Sequence, residues 1–484
     1  MPKNTVLLVI EAGLLLALSG CAVGPDYQAP KHDPAEPFIS AGASGVNANS
    51  PTADLATFWR GFQDPVLTEL VDQAIAANFD VLIAQERFQA ARAMLGGATA
   101  DQFPEIDGVG SAARALQPGY LVPGTTSRGD RTANAFDSHF VANWELDFFG
   151  RKRRMVESAA AQVSAAEAGV HAAQTVAVAE VARTYLEVRG LQLRYAIAER
   201  SLRNQQQVLE LTNARFNAGR GTRLDVVRAT SFYRITESTL PAIQAAIERA
   251  AFRIATLTAM SPRAALQKLL SPKALPNLPV TDLGELPLGT PEQMLRRRPD
   301  VKVAERDLAS ATADIGVATA DLFPRISLTG LIGFGANRAS QFGDRASQEY
   351  SVGAGLAWPL LDFGRVRSRI RANQAGAREA LARYERTVAT ALEETEGSLS
   401  QFSRTAYQVE LLVSASRNAE EATQLSKQRF NAGAVDLLIV LDAERQSLTS
   451  EDSLVQAQVV QAIALINVYR ALGGGWTLAA LKPS

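Results

Sequence analysis

Few residues of this 484-residue chain could do chemistry, and the first is its single cysteine, Cys21. It follows Leu18-Ser19-Gly20, at the end of a mostly apolar stretch, Val6 to Leu18, that opens behind Lys3. A positive start, an apolar middle and a small-residue end make an export signal, although Glu11 interrupts the apolar part. The end resembles a lipobox. Small residues fit a signal peptidase pocket, and the thiol exposed at the new N-terminus is the atom that receives lipid. The residue after it is Ala22 rather than Asp, a pattern that in lipoproteins goes with release to the outer membrane. The alternative is a buried thiol near an ordinary signal. A lone cysteine excludes an intrachain disulfide and argues against a cysteine-based metal site.

The other reactive residue types are dispersed. His32, His139 and His171 fall in three different segments, and no His-Glu-x-x-His, Gly-x-Ser-x-Gly or strand-linked glycine-rich phosphate loop is present. Gly473-Gly474-Gly475 closes the last helical run and reads as a terminator. The chain is therefore expected not to be an enzyme, to hold no metal, and to carry no cofactor beyond covalent lipid on Cys21. With 49 basic and 50 acidic residues, nothing favours nucleic acid as a partner.

The elements that surround these residues repeat. Arg215-Phe216-Asn217-Ala218-Gly219 recurs as Arg429-Phe430-Asn431-Ala432-Gly433, an offset of 214 residues (429 − 215). Each copy ends one long helical run and precedes another. Its Gly reads as a C-cap, and Asp225 and Asp436 are placed in the first turn of the next helix, where negative charge meets the dipole. The two copies thus read as tips of two helical hairpins. Upstream, Ala98 to Pro104 matches Ala318 to Pro324, and Trp144, Leu146, Phe149, Gly150 and Arg151 match Trp358, Leu360, Phe363, Gly364 and Arg365. The chain is read as an internal tandem duplication, with six extra residues of the first copy in the Pro/Gly-rich segment Gln117 to Asp130.

Four segments alternate like strands. Phe136, Phe140, Trp144 and Leu146 alternate with Asp137, His139, Asn143 and Glu145. Ile326, Leu328, Ile332 and Phe334 alternate with polar or small residues, as do Tyr350, Val352, Leu356 and Trp358; Ile106 to Leu116 is weaker. Each is about 10 residues, the length a tilted strand needs to cross a bilayer, and an apolar face against a polar one is the pattern of a membrane barrel. A soluble sheet packed on helices alternates too. The export signal and the aromatic residues near strand ends favour the membrane, with Phe140, Trp144, Leu356 and Trp358 facing lipid.

The helical runs are long. From Asp64 to Asp101 one run carries the stripe Leu67, Leu70, Val71, Ala74 and Ile75, and stops at Phe103-Pro104. Val181, Val188, Tyr195, Leu202, Leu209 and Phe216 are seven apart, as are Val156, Val163, Val170 and Ala177, with one step of four between the sets. That is a heptad pattern with a stutter, matched more loosely by Leu381, Val388, Phe402, Val409 and Phe430. A helix over 150–217 would be roughly 100 Å long. Between the repeats, six prolines from Pro262 to Pro291 exclude a long helix. Thr290 and Pro291 then start a new one, and Arg296-Arg297-Arg298 on it reads as a solvated face.

These boundaries give a signal peptide at 1–20, an extended tether at 21–60, repeat one at 61–260, a proline-rich connector at 261–290, repeat two at 291–472 and a tail at 473–484. The expected fold is an α+β membrane protein. Four strands cannot close a barrel, and open edges in lipid leave backbone groups unpaired. Three chains would supply twelve strands, a feasible barrel, continued by a helical barrel of coiled-coil hairpins.

Gly24-Pro25-Asp26-Tyr27 behind the lipobox, the Arg298-Pro299-Asp300 helix start, both Phe-Pro junctions and both Asn-Ala-Gly tips together resemble the outer-membrane efflux factors, the TolC-like family, in its lipoprotein OprM/NodT branch. No one of these motifs is specific; their order and duplication are. The resemblance spans nearly the whole mature chain. It implies a homotrimeric outer-membrane channel with a periplasmic helical tunnel, working with a periplasmic adaptor and an inner-membrane transporter of a tripartite, RND-type pump, and passively conducting drugs or other toxic small molecules. It also implies a constriction with a hydrophobic ring at Leu438, an acidic ring at Asp442 and a tip-holding acid at Asp225, with adaptor contacts at Asn217, Gly219, Asn431 and Gly433. A basic locking residue of the family falls at Val435 here, so that ionic lock is absent or built differently. The reading from another class is a lipid-anchored periplasmic coiled-coil adaptor or scaffold.

Labelled palmitate is expected in the wild-type protein and not in Cys21→Ser, which should still fold because one lipid anchors without spanning. Equal labelling of both would refute acylation at this thiol.

Overall fold

A computed structural model describes residues 22–30, 37–39, 55–121, 124, 127–280 and 288–474. The signal, Cys21, most of the tether and the tail from Gly475 lie outside the described residues. The elements follow in the order α1 (Pro65–Ala77), α2 (Phe79–Ala100), β1 (Glu105–Leu116), β2 (Thr132–Leu146), α3 (Arg151–Asn217), α4 (Arg223–Leu257), α5 (Pro262–Leu269), α6 (Pro291–Arg297), α7 (Pro299–Ala320), β3 (Arg325–Ala336), β4 (Gln348–Ala357), α8 (Arg365–Asn431) and α9 (Leu437–Ala471). The two halves agree in length: α2 and α7 have 22 residues, α3 and α8 have 67, and α4 and α9 have 35. At 1.5 Å per residue, α3 and α8 each run for about 100 Å.

Local chemistry sets the helix starts. Asp64 caps α1 by accepting from the amides of Val66 and Leu67, with Pro65 in the first turn. The helical run expected from Asp64 to Asp101 is in fact two helices. They break at Asn78, whose Oδ1 accepts from the amides of Asp80 and Val81 and whose Nδ2 donates to the Leu257 carbonyl at 2.9 Å. Thr290 forms a capping box with Gln293, Pro291 following it as expected.

Contacts divide the chain into two units. The first holds 22–30 with Phe88–Ala166 and Val303–Tyr384. Its sheet is antiparallel, in the order β1-β2-β3-β4. Equivalent contacts recur in it: the Trp144 indole donates to the Gln102 carbonyl at 2.9 Å, and the Trp358 indole to the Leu322 carbonyl at 3.0 Å. The Gly24-Pro25-Asp26-Tyr27 stretch is strapped to the helices of this unit. Asp26 pairs with buried Arg154 at 2.6 Å, and the Tyr27 hydroxyl donates to Glu305 at 2.9 Å. Gly24, at φ +95°, lies so close to Gly316 that an added Cβ would stand 2.5 Å from its Cα. Burial, and then the bond to Glu305, push the Tyr27 phenol well above its ordinary range.

The second unit is helical. Its core contains Leu67, Leu70 and Val71 of α1, Val181, Tyr185 and Val188 of α3, and Leu465 and Val468 of α9. The heptad stripe of α3 is therefore buried in its middle, at Val170 to Val188, whereas Phe216 at its end is 37% exposed. Tyr185, Arg189 and Asp64 form a buried polar network, Tyr185 donating to Asp64 and Arg189 to the Tyr185 oxygen.

The basic run on α6 is not the solvated face expected. Arg296 is exposed beside Glu292, but Arg298 is 6% exposed and donates to Asp300, Glu394 and the Ala471 carbonyl at 2.6, 2.8 and 3.0 Å. Burial alone would lower its pKa, and the bonds to the two carboxylates raise it overall. A charged group this dry must be paired. Arg298→Met should therefore destabilise the fold by about 3 kcal/mol, while Arg296→Ala should change it by less than about 0.5 kcal/mol. Denaturant unfolding of the two variants tests the difference, and equal effects would contradict it.

Candidate functional site

Two regions carry the residues singled out by sequence: the sheet of the first unit and the helix tips of the second. In the sheet the register aligns like faces. Phe140 pairs with Ile332, and Ile332 with Tyr350; Trp144 pairs with Leu328. Phe140, Ile332 and Tyr350 are 64, 63 and 82% exposed, so among the described residues nothing covers this apolar row. Leu356 lies on the same face. Trp358, expected at the end of the fourth strand, stands just beyond β4, held by its bond to Leu322. The opposite face is mostly polar or small, with Val109, Val141 and Leu331 as exceptions. Ser111 donates to Asp137 at 3.1 Å, and His139 on β2 is paired with Glu349 on β4 across Gly333. The weak segment 106–116 is a full twelve-residue strand, and β1 and β4 each pair on one side only among the described residues.

The tips are built twice in the same way. Gly219 donates to the Phe216 carbonyl and Arg220 to that of Arg215, at 3.0 and 2.8 Å; Gly433 donates to Phe430 and Ala434 to Arg429, at 2.9 and 2.8 Å. This is the paired bond pattern of a helix ended by a left-handed glycine, and Gly219 and Gly433 have φ of +73° and +75°. The helices that follow start differently. Asp225 lies in the first turn of α4 and closes a capping box with Thr222. Asp436 is not in the first turn of α9 as expected: it is the N-cap residue, the counterpart of Thr222, and makes no capping bond.

Between the tips lies an apolar cluster of Ala229, Phe430, Leu437, Val440 and Leu441, with Val208, Leu209, Phe232 and Val435 against it. The Arg215 guanidinium stacks over the Phe430 ring at 4.1 Å and donates to the Phe430 carbonyl at 3.3 Å. Val435, where the resemblance implies a basic residue, packs against this cluster instead, and the nearby charge is that of Arg215 over Phe430. Leu438 is 53% exposed, and Asp442 is exposed one turn on, so α9 presents both outward. Asp442 is not a free carboxylate: it is paired with Arg445. Asn217, Gly219, Asn431 and Gly433 are all exposed at the tips.

Sequence reasoning missed four contributors. Arg215 and Phe430 sat inside the repeated motif, Arg215 read only as part of the repeat and Phe430 also as a heptad position. Arg445 lies three residues from Asp442, a spacing that itself signals a helical ion pair. Glu444 is 5% exposed and paired with Lys427 at 2.8 Å across α9 and α8; on its own it looks like any helix carboxylate.

Comparison with known proteins converges on one family. The model of the outer membrane efflux protein family matches residues 70–259 and 290–474. Nodulation protein T of Rhizobium leguminosarum bv. trifolii is 33% identical over 465 residues, covering 95% of this chain and 96% of its own. Outer membrane protein OprJ of Pseudomonas aeruginosa is 31% identical, with 96 and 95% covered. The solved outer-membrane channel OprN superposes with a TM-score of 0.87 at 39% identity, over 94% of this chain and 100% of that one.

An Arg placed mid-strand on the apolar face, at Phe140 or Ile332, should cost about 2–4 kcal/mol if that face meets lipid, and should impair assembly. Arg at Asn143 or Ala357 on the other face should be milder. Folding yield into detergent or bilayers measures this, and equal responses of both faces would rule out membrane strands as assigned.

Proposed function

Because the chain belongs to the outer membrane efflux protein family, we propose that it is the outer-membrane channel of a tripartite efflux system, passively conducting drugs or other toxic small molecules outward from a periplasmic adaptor and an inner-membrane transporter. The observation that carries this is the two-faced sheet with open edges. Its uncovered apolar row suits lipid and its polar face suits a water-filled lumen, while unpaired edge groups would cost several kcal/mol each in a bilayer. Three chains close it as a twelve-stranded barrel, and their 67-residue helices form a periplasmic helical barrel. The two matches to one family model and the equal helix lengths support a tandem duplication, with repeats at 61–260 and 291–472. Lipid on Cys21 anchors the N-terminus to the outer membrane without adding a span.

The adaptor docks at the exposed tip residues Asn217, Gly219, Asn431 and Gly433. The periplasmic constriction lies on α9 and near Asp225. Threefold symmetry makes Leu438 a ring that excludes water and hydrated solutes. Asp442 becomes a second ring, in which each carboxylate is partly neutralised by Arg445. A periplasmic coiled-coil adaptor has one hairpin and no tandem barrel-like strand pairs, so the two hairpins and the two strand pairs of the sheet favour the channel.

Single-channel recording in planar bilayers tests the gate. The wild type should show low conductance and cation preference. Asp442→Ala should weaken that preference, Arg445→Ala should strengthen it by unpairing the carboxylates, and Leu438→Ala with Asp442→Ala should raise conductance. Unchanged conductance and selectivity in the double variant would place the constriction elsewhere.

A further inference from the structure

The duplicated tips are chemically alike but not alike in burial. Arg215 of the first tip covers Phe430 of the second. Among the described residues, the counterparts of these two, Arg429 and Phe216, make no such contact. Phe430 and Leu441 are 8 and 9% exposed, whereas their counterparts Phe216 and Val227 are 37 and 51% exposed. Arg429 is exposed and makes no side-chain hydrogen bond or ion pair among the described residues. Each tip thus offers an arginine on one side and a phenylalanine on the other. The chain contains one match between them and leaves one arginine and one phenylalanine over.

We infer that Arg429 of one chain stacks on Phe216 of a second copy, repeating between chains the contact that Arg215 and Phe430 make within one. The geometry has a consistent direction. The first tip reaches to the second with its arginine, so the second tip reaches onward with its own arginine to the first tip of the next chain. A ring of three chains uses every arginine and every phenylalanine once and leaves none over. The occupant of the exposed first-tip surface is therefore this same surface's repeat partner on another copy, which covers Phe216 and Val227 as Phe430 and Leu441 are covered here. Stacking of a guanidinium on a ring is favourable even at a partly wet site. The inference rests on the trimeric reading above and adds to it the residues that join the chains.

The test is cross-linking of the full-length protein in outer-membrane extracts. Phe216→Cys with Arg429→Cys, treated with a short thiol-specific cross-linker, should give a ladder of two and three chains on denaturing gels, and neither single variant should. Arg215→Cys with Phe430→Cys should react within one chain and leave the mass of one chain. An intact trimer on native gels that reacts at 215 and 430 but gives no ladder at 216 and 429 would overturn the contact and leave the trimer standing. Absence of any trimer would overturn both. A second readout needs no cysteine. Arg429→Ala and Phe216→Leu should each lower the temperature at which the trimer dissociates, and the double variant should fall no further than the larger single loss. Additive losses would mean the two side chains do not meet.

Discussion

The rest of the structure depends on one constraint: a backbone amide or carbonyl in lipid must be paired. Among the described residues the sheet has four strands and two open edges, and each edge presents a row of backbone donors and acceptors. In water such edges are tolerable and solvent covers them. In hydrocarbon each unpaired group costs several kcal/mol, more than the exposed row Phe140, Ile332 and Tyr350 recovers by leaving water, at about 1.5–3 kcal/mol per side chain. A single chain could not stay inserted. The proposed closure by other copies answers this hydrogen-bond count before any consideration of the pore.

In the proposed trimer, two like repeats per chain would place six helix hairpins around the ring. Two repeats with the same helix lengths can alternate around a ring. They need not be identical where they touch, and here they differ. The within-chain contact is apolar: Leu209, Phe232, Val435 and Leu437 pack at or beside the cluster. The equivalent positions on the other side of each tip are Thr423, Gln446, Gly221 and Arg223. Val435 belongs to this difference. Losing a basic residue there removes a charge from the second tip and adds an apolar contact to the cluster.

Much of the fold was legible because it follows from short periods. Alternation at Phe136 to Leu146 and at Tyr350 to Leu356 reflects a backbone that turns its side chains over every residue. The seven-residue spacing from Val181 to Phe216 likewise announced a helix of about 100 Å. What was not legible depends on partners far along the chain. Asn78 splits one helical run into two by capping α2 with its Oδ1 while its Nδ2 holds the Leu257 carbonyl, and no break in the apolar stripe marks it. Arg298 is dry because Glu394 and Ala471 surround it, although three consecutive arginines look solvated. At the site, Leu438 and Asp442 came from family likeness. Arg215, in plain view in the motif, gave no hint of reaching Phe430, because the periodicity of one helix says nothing of its neighbour.

The two kinds of contact around the ring bear on how such a conduit opens. Separating the tips within a chain uncovers Phe430, Leu437, Val440 and Leu441, each of which costs about 1.5–3 kcal/mol when fully returned to water. Separating tips between chains uncovers a surface whose counterpart residues include Thr423, Gln446 and Arg223, which water solvates readily. A ring with two alternating joints of unequal strength yields at the weaker one. In the proposed ring, the hairpin pair of one chain would then move as a block, with the joint between chains as the hinge. A partner that binds the exposed tip residues needs to supply only the smaller of the two costs, so a passive channel can rest closed and still be opened by docking.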